Sequence, residues 1–314
     1  MKKIGVIMAT YNGDKYLYDQ IKSIVSQKID DLTIFIHDDK STDTTLNVIK
    51  KCKEEFKSIK IVLILGEKAN GSKNNFMYIM KYVSNFNIDY FFFADQDDVW
   101  LPDKANIMLN RMYTIEDRNR PCVIFSDMKV VDENLKILSS SFFDYIGADY
   151  TRTKPNQLIM QSFIAGCSML INKKALDMSN LYSNINNIFM HDWWICLVAS
   201  YIGIIDCVNE PLVLYRQHSN NVIGATPLKV RDLIQHLFET FFGNHASEIK
   251  ERIARSRKFA TELKKLPGLS EKQRIFLEEF SRLEERNKFR RIMFYKKYNL
   301  SRNNHRNWFF MLFV

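Results

Sequence analysis

Tyr90-Phe91-Phe92-Phe93-Ala94 runs without a break into Asp95-Gln96-Asp97-Asp98. A short, wholly apolar run suits a strand buried on both sides, and the carboxylates that follow mark its C-terminal end. The same grammar recurs upstream. Lys3–Ala9 is an apolar run that opens onto Thr10-Tyr11-Asn12-Gly13, and Leu32–Ile36 runs into His37-Asp38-Asp39. Lys60–Leu65 reads as a further strand. Between these runs the apolar spacing turns helical. Tyr16, Leu17, Ile21, Ile24 and Val25 mark a helix over 15–27; Leu46, Ile49 and Phe56 face inward from one over 44–56; a third covers 75–83. Strands alternating with helices predict an α/β fold, a mostly parallel sheet with helices on both faces. In such sheets ligands bind beyond the carboxyl ends of the strands. That edge is where the polar and acidic residues collect.

Downstream the pattern loosens. Cys122–Ser126 ending at Asp127, Ser168–Ile171 and Leu212–Tyr215 read as strands, and 190–201 as an apolar helix opening with His191-Asp192. Of the 314 residues, the last 87 differ in character. Up to Pro227 the chain has 25 Lys and Arg against 26 Asp and Glu; from Leu228 it has 20 against 10, so the whole net charge of +9 lies in the tail. The tail reads as helical, with Ile249, Ile253, Ala260, Leu263 and Leu266 on one face and a Ser270/Gln273 capping box. The expected division is therefore residues 1–226, with a nucleotide half at about 1–100 and an acceptor half at about 121–225, followed by a basic helical region over 227–314. That region suits a helical subdomain or a surface for anionic lipid; no recognition motif for nucleic acid accompanies the charge. No run approaches the roughly 20 apolar residues of a membrane span, and five scattered cysteines without a C-x-x-C pair suit reduced thiols in the cytoplasm.

Three carboxylates within four residues repel one another, and hard oxygen ligands favour Mg²⁺ or Mn²⁺. Asp39 is placed to accept hydrogen bonds from a base or ribose, with Ser41, Thr42 or Asp43 capping the next helix. Asp192 is a candidate general base. His218, in Tyr215-Arg216-Gln217-His218, is a candidate metal ligand or a structural histidine.

Taken in order, IGVIMATYNG, HDDKSTDTT, NGSKNNF, FFADQDDVWLPDK, AGCSMLI, HDWW and YRQHSNN resemble the bacterial family-2 glycosyltransferases of GT-A fold, most closely their rhamnosyltransferase-like branch. The resemblance covers 1 to about 225. It implies that Ala9, Thr10 and Tyr11 line a nucleotide pocket and that Asp39 bonds the base. Asn70, Gly71 and Asn75 would form the loop over base and donor sugar, and Asp95 would face ribose or sugar. Asp97 and His218 would hold Mn²⁺ or Mg²⁺, with Asp192 as the base. The implied activity is inverting transfer from a nucleotide-diphospho-sugar, dTDP-rhamnose first and a UDP-sugar second, to a polyprenyl-diphosphate-linked or other glycan. It would act in the cytoplasm, peripheral to an anionic membrane. Two other enzymes fit less well. A phosphohydrolase would need a Thr soon after Asp97, and a nucleotidyltransferase a glycine-rich loop after the first strand. A non-catalytic nucleotide-binding partner is the alternative outside enzymes.

Overall fold

A computed structural model describes residues 2–218 and 245–300. The expected boundary near 226, the side chain of Ile249, and everything after 300 lie outside the described residues.

The chain begins as anticipated: β1 (Ile4–Thr10), α1 (Leu17–Val25), β2 (Leu32–Asp38), α2 (Thr45–Glu55), β3 (Lys60–Ile64), α3 (Ser72–Val83) and β4 (Tyr90–Ala94). Every residue of β1, β2 and β4 is buried. Successive strand side chains point to opposite faces, so layers must cover both sides of the sheet. β2 pairs with β1 and β3 with β2, stepping one way; β4 then joins the other side of β1. All four run parallel, so the strand order reverses between β1 and β4. A crevice must open there, at the carboxyl ends that carry Thr10-Tyr11-Asn12 and Asp95-Gln96-Asp97.

The second half is longer and more mixed than its sequence suggests. It runs β5 (Val99–Trp100), α4 (Lys104–Ile115), β6 (Cys122–Val131), β7 (Ile137–Ser139), α5 (Phe142–Ile146), α6 (Pro155–Leu158), β8 (Met169–Asn172), α7 (Lys173–Ser179), α8 (His191–Ile202) and β9 (Ile204–Arg216). β8 is antiparallel to both β4 and β6, while β9 runs parallel to β6 and closes on β5. β6 passes through Asp127 instead of ending there. The reason is β9: its Cys207-Val208 and Pro211 bracket a register shift opposite Ser126 and Asp127, so the ladder continues beyond the irregularity to Val131–Arg216. Leu46 also departs from expectation. It is exposed, and Thr45, Ile49 and Cys52 form the buried stripe of α2.

The tail is helical: α9 (His245–Leu263), α10 (Glu271–Ser281) and α11 (Lys288–Lys297). The Ser270/Gln273 capping box is present, and Gln273 also donates to the Tyr201 carbonyl of α8. Ile253, Ala260, Leu263 and Leu266 are buried as their spacing requires. Phe259 packs on Trp193 and Trp194, with ring centroids 5.0 and 6.3 Å away. Glu262, fully buried, accepts from the Ser183 N–H and hydroxyl, the Asn187 amide and the Lys265 ammonium. Burial opposes its charge, but these bonds outweigh burial and hold the carboxyl below its usual range. The described tail is thus a brace against the segment that leads into α8.

Candidate active site

The crevice is a cavity of about 690 Å³. It is lined by every residue anticipated from the sequence except His218, which reaches it through Asp97.

One wall is built by the loops after β1, β2 and β3. Thr10 donates its hydroxyl to Asp38, and the Asp39 N–H donates to the Thr10 carbonyl, so the ends of β1 and β2 are locked together. Asp39 is itself buried and accepts three backbone N–H groups: Ala69 and Asn70 on Oδ1, Gly71 on Oδ2. This carboxylate at the head of α3 shapes the loop whose Asn70 and Gly71 take φ of 62° and 115°. The latter is a conformation that favours glycine. Asn75 is on the first turn of α3 and not in that loop. Its amide bonds the His37 ring and reaches the Thr10 and His37 carbonyls, so it ties helix to sheet. Helix capping falls to Asp43, which accepts from the Thr45 N–H and hydroxyl.

The floor is Asp95–Asp98. Gln96, unremarked in the sequence, clamps the Tyr11 backbone from both sides, accepting its N–H at 2.9 Å and donating to its carbonyl at 3.0 Å. Burial first, then the charges of Asp97 and Asp192, pushes Asp95 up to about 7. Burial and the neighbouring Asp97 and Asp95 push Asp98 well above the usual carboxylate range. Two of the protein's own cations stand against this loop. Arg216 donates its N–H to Asp98 and its guanidinium to the Asp97 and Glu133 carbonyls. Lys104, buried on Trp100, donates to the Cys167 carbonyl beside Asp95 and Asp98, and burial lowers its ammonium to about 8. Asp95, Asp98 and Cys167 have ligand atoms within 4.8 Å of one another. The soft thiol and the adjacent lysine make that group a poor match for a hard cation. The better pair is Asp97 and His218, 121 residues apart, with Oδ2 and Nε2 separated by 2.8 Å. Tyr16 stacks on His218 at 5.2 Å and takes the Arg216 guanidinium over its ring at 4.3 Å. Carboxylate and imidazole thus meet on one spot at the cavity edge, where a divalent cation would find two ligands.

Opposite stands Asp192, in the first turn of α8. Oδ2 accepts the Gly166 N–H at 3.0 Å and Oδ1 the Trp193 N–H. His191 is buried, stacked on Phe76 at 4.0 Å, and burial lowers its pKa against the charge of Asp192. Its ring packs between Phe76 and Phe93. The remaining wall is apolar and aromatic: Phe142, Ile146, Phe163, Phe189, Trp193 and Tyr215. Asp127 anchors its α5 portion by accepting the Phe142 and Phe143 N–H groups. Gln96, Lys104, Gly166 and Asp127 escape a reading of their roles by residue type. Arg216 alone carried a signal, an arginine within an otherwise apolar strand end.

Gly166 allows the loop N–H to approach Asp192, because a Cβ there would lie 2.8 Å from His191 Nε2 and 3.7 Å from the Asp192 Cβ. Gly166→Ala is expected to lower kcat about 100-fold, the cost of an ångström-scale misplacement, with nucleotide affinity within about threefold of the wild type. Steady-state kinetics and nucleotide titration check this; an unchanged kcat would refute it.

The match with known proteins lies on this architecture. The model of the family described as "Glycosyl transferase family 2" matches residues 5–178. The chain belongs to glycosyl transferase family 2. It is 32% identical over 239 residues to the dTDP-rhamnosyl transferase RfbG of Shigella flexneri, covering 69% of this chain and 74% of that protein. A UDP-Glc:alpha-D-GlcNAc-diphosphoundecaprenol beta-1,3-glucosyltransferase, WfaP of Escherichia coli, is 29% identical over 36% of this chain and 43% of its own length. Among solved structures, S. aureus TarS 1–349 in complex with UDP-GlcNAc superposes with a TM-score of 0.58 over 89% of this chain and 71% of that one. At 14% identity that likeness establishes a shared GT-A-type fold. This family member is accordingly a glycosyltransferase.

Proposed function

We propose that this glycosyltransferase moves a sugar, with inversion, from a nucleotide-diphospho-sugar to a hydroxyl of a glycan acceptor, and that the reaction depends on a divalent cation. The observation that carries the reading is the meeting of three functions in one cavity: Asp39 beside the Ala9-Thr10-Tyr11 wall, the Asp97–His218 pair, and Asp192 facing them. A carboxylate offers about four acceptor sites. Asp39 uses three on its loop, which leaves it able to accept from a pyrimidine N–H. Asp95 faces ribose or donor sugar. Asp97 and His218 would hold Mn²⁺ or Mg²⁺, which offsets negative charge on a diphosphate leaving group.

Asp192 takes the proton of the acceptor hydroxyl. The resulting oxygen attacks the anomeric carbon as its bond to the diphosphate breaks, giving inversion and a nucleoside diphosphate. The two N–H groups on Asp192 fix its orientation, and the aromatic wall excludes water and seats the acceptor. Similarity to RfbG over most of both chains favours dTDP-rhamnose, with a UDP-sugar second. The diphosphoundecaprenol acceptor of WfaP favours a polyprenyl-diphosphate-linked acceptor here. No helix among the described residues is long and apolar enough to cross a membrane.

Thermal unfolding with dTDP, UDP and GDP at millimolar concentration, each with Mn²⁺ or EDTA, tests the proposal. Ligand bound to the native state alone raises the midpoint by mass action. We expect the largest shift with dTDP plus Mn²⁺ and little with EDTA. A shift of equal size in EDTA would refute the metal; a larger shift with UDP would move the donor; none with any nucleotide would overturn the reading.

A further inference from the structure

The outer face of α11 has no role in the brace that the tail provides. Phe294 and Tyr295 turn inward and are buried, with Phe294 stacked against Phe276 and Phe280 of α10. One turn apart on the outward side, Phe289 is 72% exposed and Met293 50% exposed. Two large apolar side chains at i and i+4 share a helix face, and water gains nothing from either. Around them, residues 286–297 hold six cations, Arg286, Lys288, Arg290, Arg291, Lys296 and Lys297, and no acid. The positive field extends beyond the helix. Arg291 closes a cavity of about 190 Å³ with Lys250 and Arg257, whose lining acid, Glu284, is already paired with Arg257 at 2.6 Å. The Nε of Arg291 is buried and has no hydrogen-bond partner.

From this we infer that α11 is a docking surface for an anionic phospholipid bilayer. Arg290, Lys296 and Lys297 bind the headgroup phosphates, and Phe289 and Met293 enter the headgroup–acyl boundary. The pairing of an apolar stripe with dense positive charge separates a bilayer from a nucleic acid, which rewards the charge but not the stripe. The surface deepens the proposal of a lipid-linked acceptor, and it rests on that reading only for its purpose.

Truncating the basic region is not a clean test, because it would strip Phe259 from Trp193 and Trp194. Point variants on the exposed face of the full chain serve instead. Sedimentation with vesicles of about one-third phosphatidylglycerol in phosphatidylcholine should pull down the wild type, and pure phosphatidylcholine should not. A cation near such a surface strengthens binding roughly fivefold. Arg290→Glu with Lys296→Glu should therefore weaken it at least about 20-fold. Phe289→Ser with Met293→Ser should weaken it about 10-fold through lost apolar burial. Both variants should keep the wild-type melting midpoint and nucleotide-induced shift. Wild-type binding by the serine variant would reduce the surface to a general polyanion site and overturn the inference, as would equal binding to neutral vesicles. A chain that docks on vesicles but fails to use lipid-linked acceptors would keep this surface and lose the acceptor assignment.

Discussion

Asp192→Asn is expected to lower transfer by at least about 1,000-fold while leaving nucleotide affinity within about twofold of the wild type. Proton removal by a positioned base contributes roughly 10²–10⁴ in rate, and the amide cannot accept that proton. The substitution keeps the side chain's shape and leaves one oxygen to accept from Gly166 or Trp193, so a single N–H bond is lost and the side chain stays anchored by the other. The effect should fall on kcat, as befits an interaction that matters only in the transition state. Single-turnover transfer and nucleotide titration on the same preparation separate the two quantities. Loss of both together would show that Asp192 is structural. Retention of transfer would remove it from the chemistry.

Asp97→Asn should lower transfer by roughly 10²–10³-fold, the effect of losing several kcal/mol of charge stabilisation. Its signature differs from that of Asp192→Asn. Here the Mn²⁺-dependent part of the nucleotide melting shift should disappear, so that wild type in EDTA and variant in Mn²⁺ behave alike. His218→Ala should move in the same direction by less, since the carboxylate carries the charge and the imidazole adds one ligand. The fold should survive, because Arg216 still holds the Asp97 backbone carbonyl. A variant that retains the full Mn²⁺-dependent shift would remove Asp97 from the metal site. It would leave the Asp95, Asp98 and Cys167 group to be tested next.

The first hundred residues were legible because each strand is a short apolar run closed by polar residues, and each helix shows its stripe. β4 and its acidic terminus could be read residue by residue. β6 and β9 could not. Their continuation past Asp127 depends on pairing across a register shift, and neither partner's sequence contains the other. Leu46 misled for a related reason: apolar spacing marks a stripe, but the neighbouring Thr45 and Cys52 were small enough to take the buried side. The family resemblance puts Asn75 in the loop with Asn70 and Gly71, whereas it stands on α3 with its amide bound to His37 on β2.

Residue type and order alone established an α/β sheet with its chemistry at one edge, a basic helical tail, and which carboxylates and histidine to suspect. Folding decided which of them meet. Asp97 and His218 lie 121 residues apart, and only the curl of β9 back toward β5 brings them within 2.8 Å. The groups that hold the site in shape, Gln96 on Tyr11, Arg216 on the acidic loop and the Gly166 N–H on Asp192, act through hydrogen bonds to backbone or through room for backbone. Such roles depend on where the chain passes in space, and side-chain identity does not announce them.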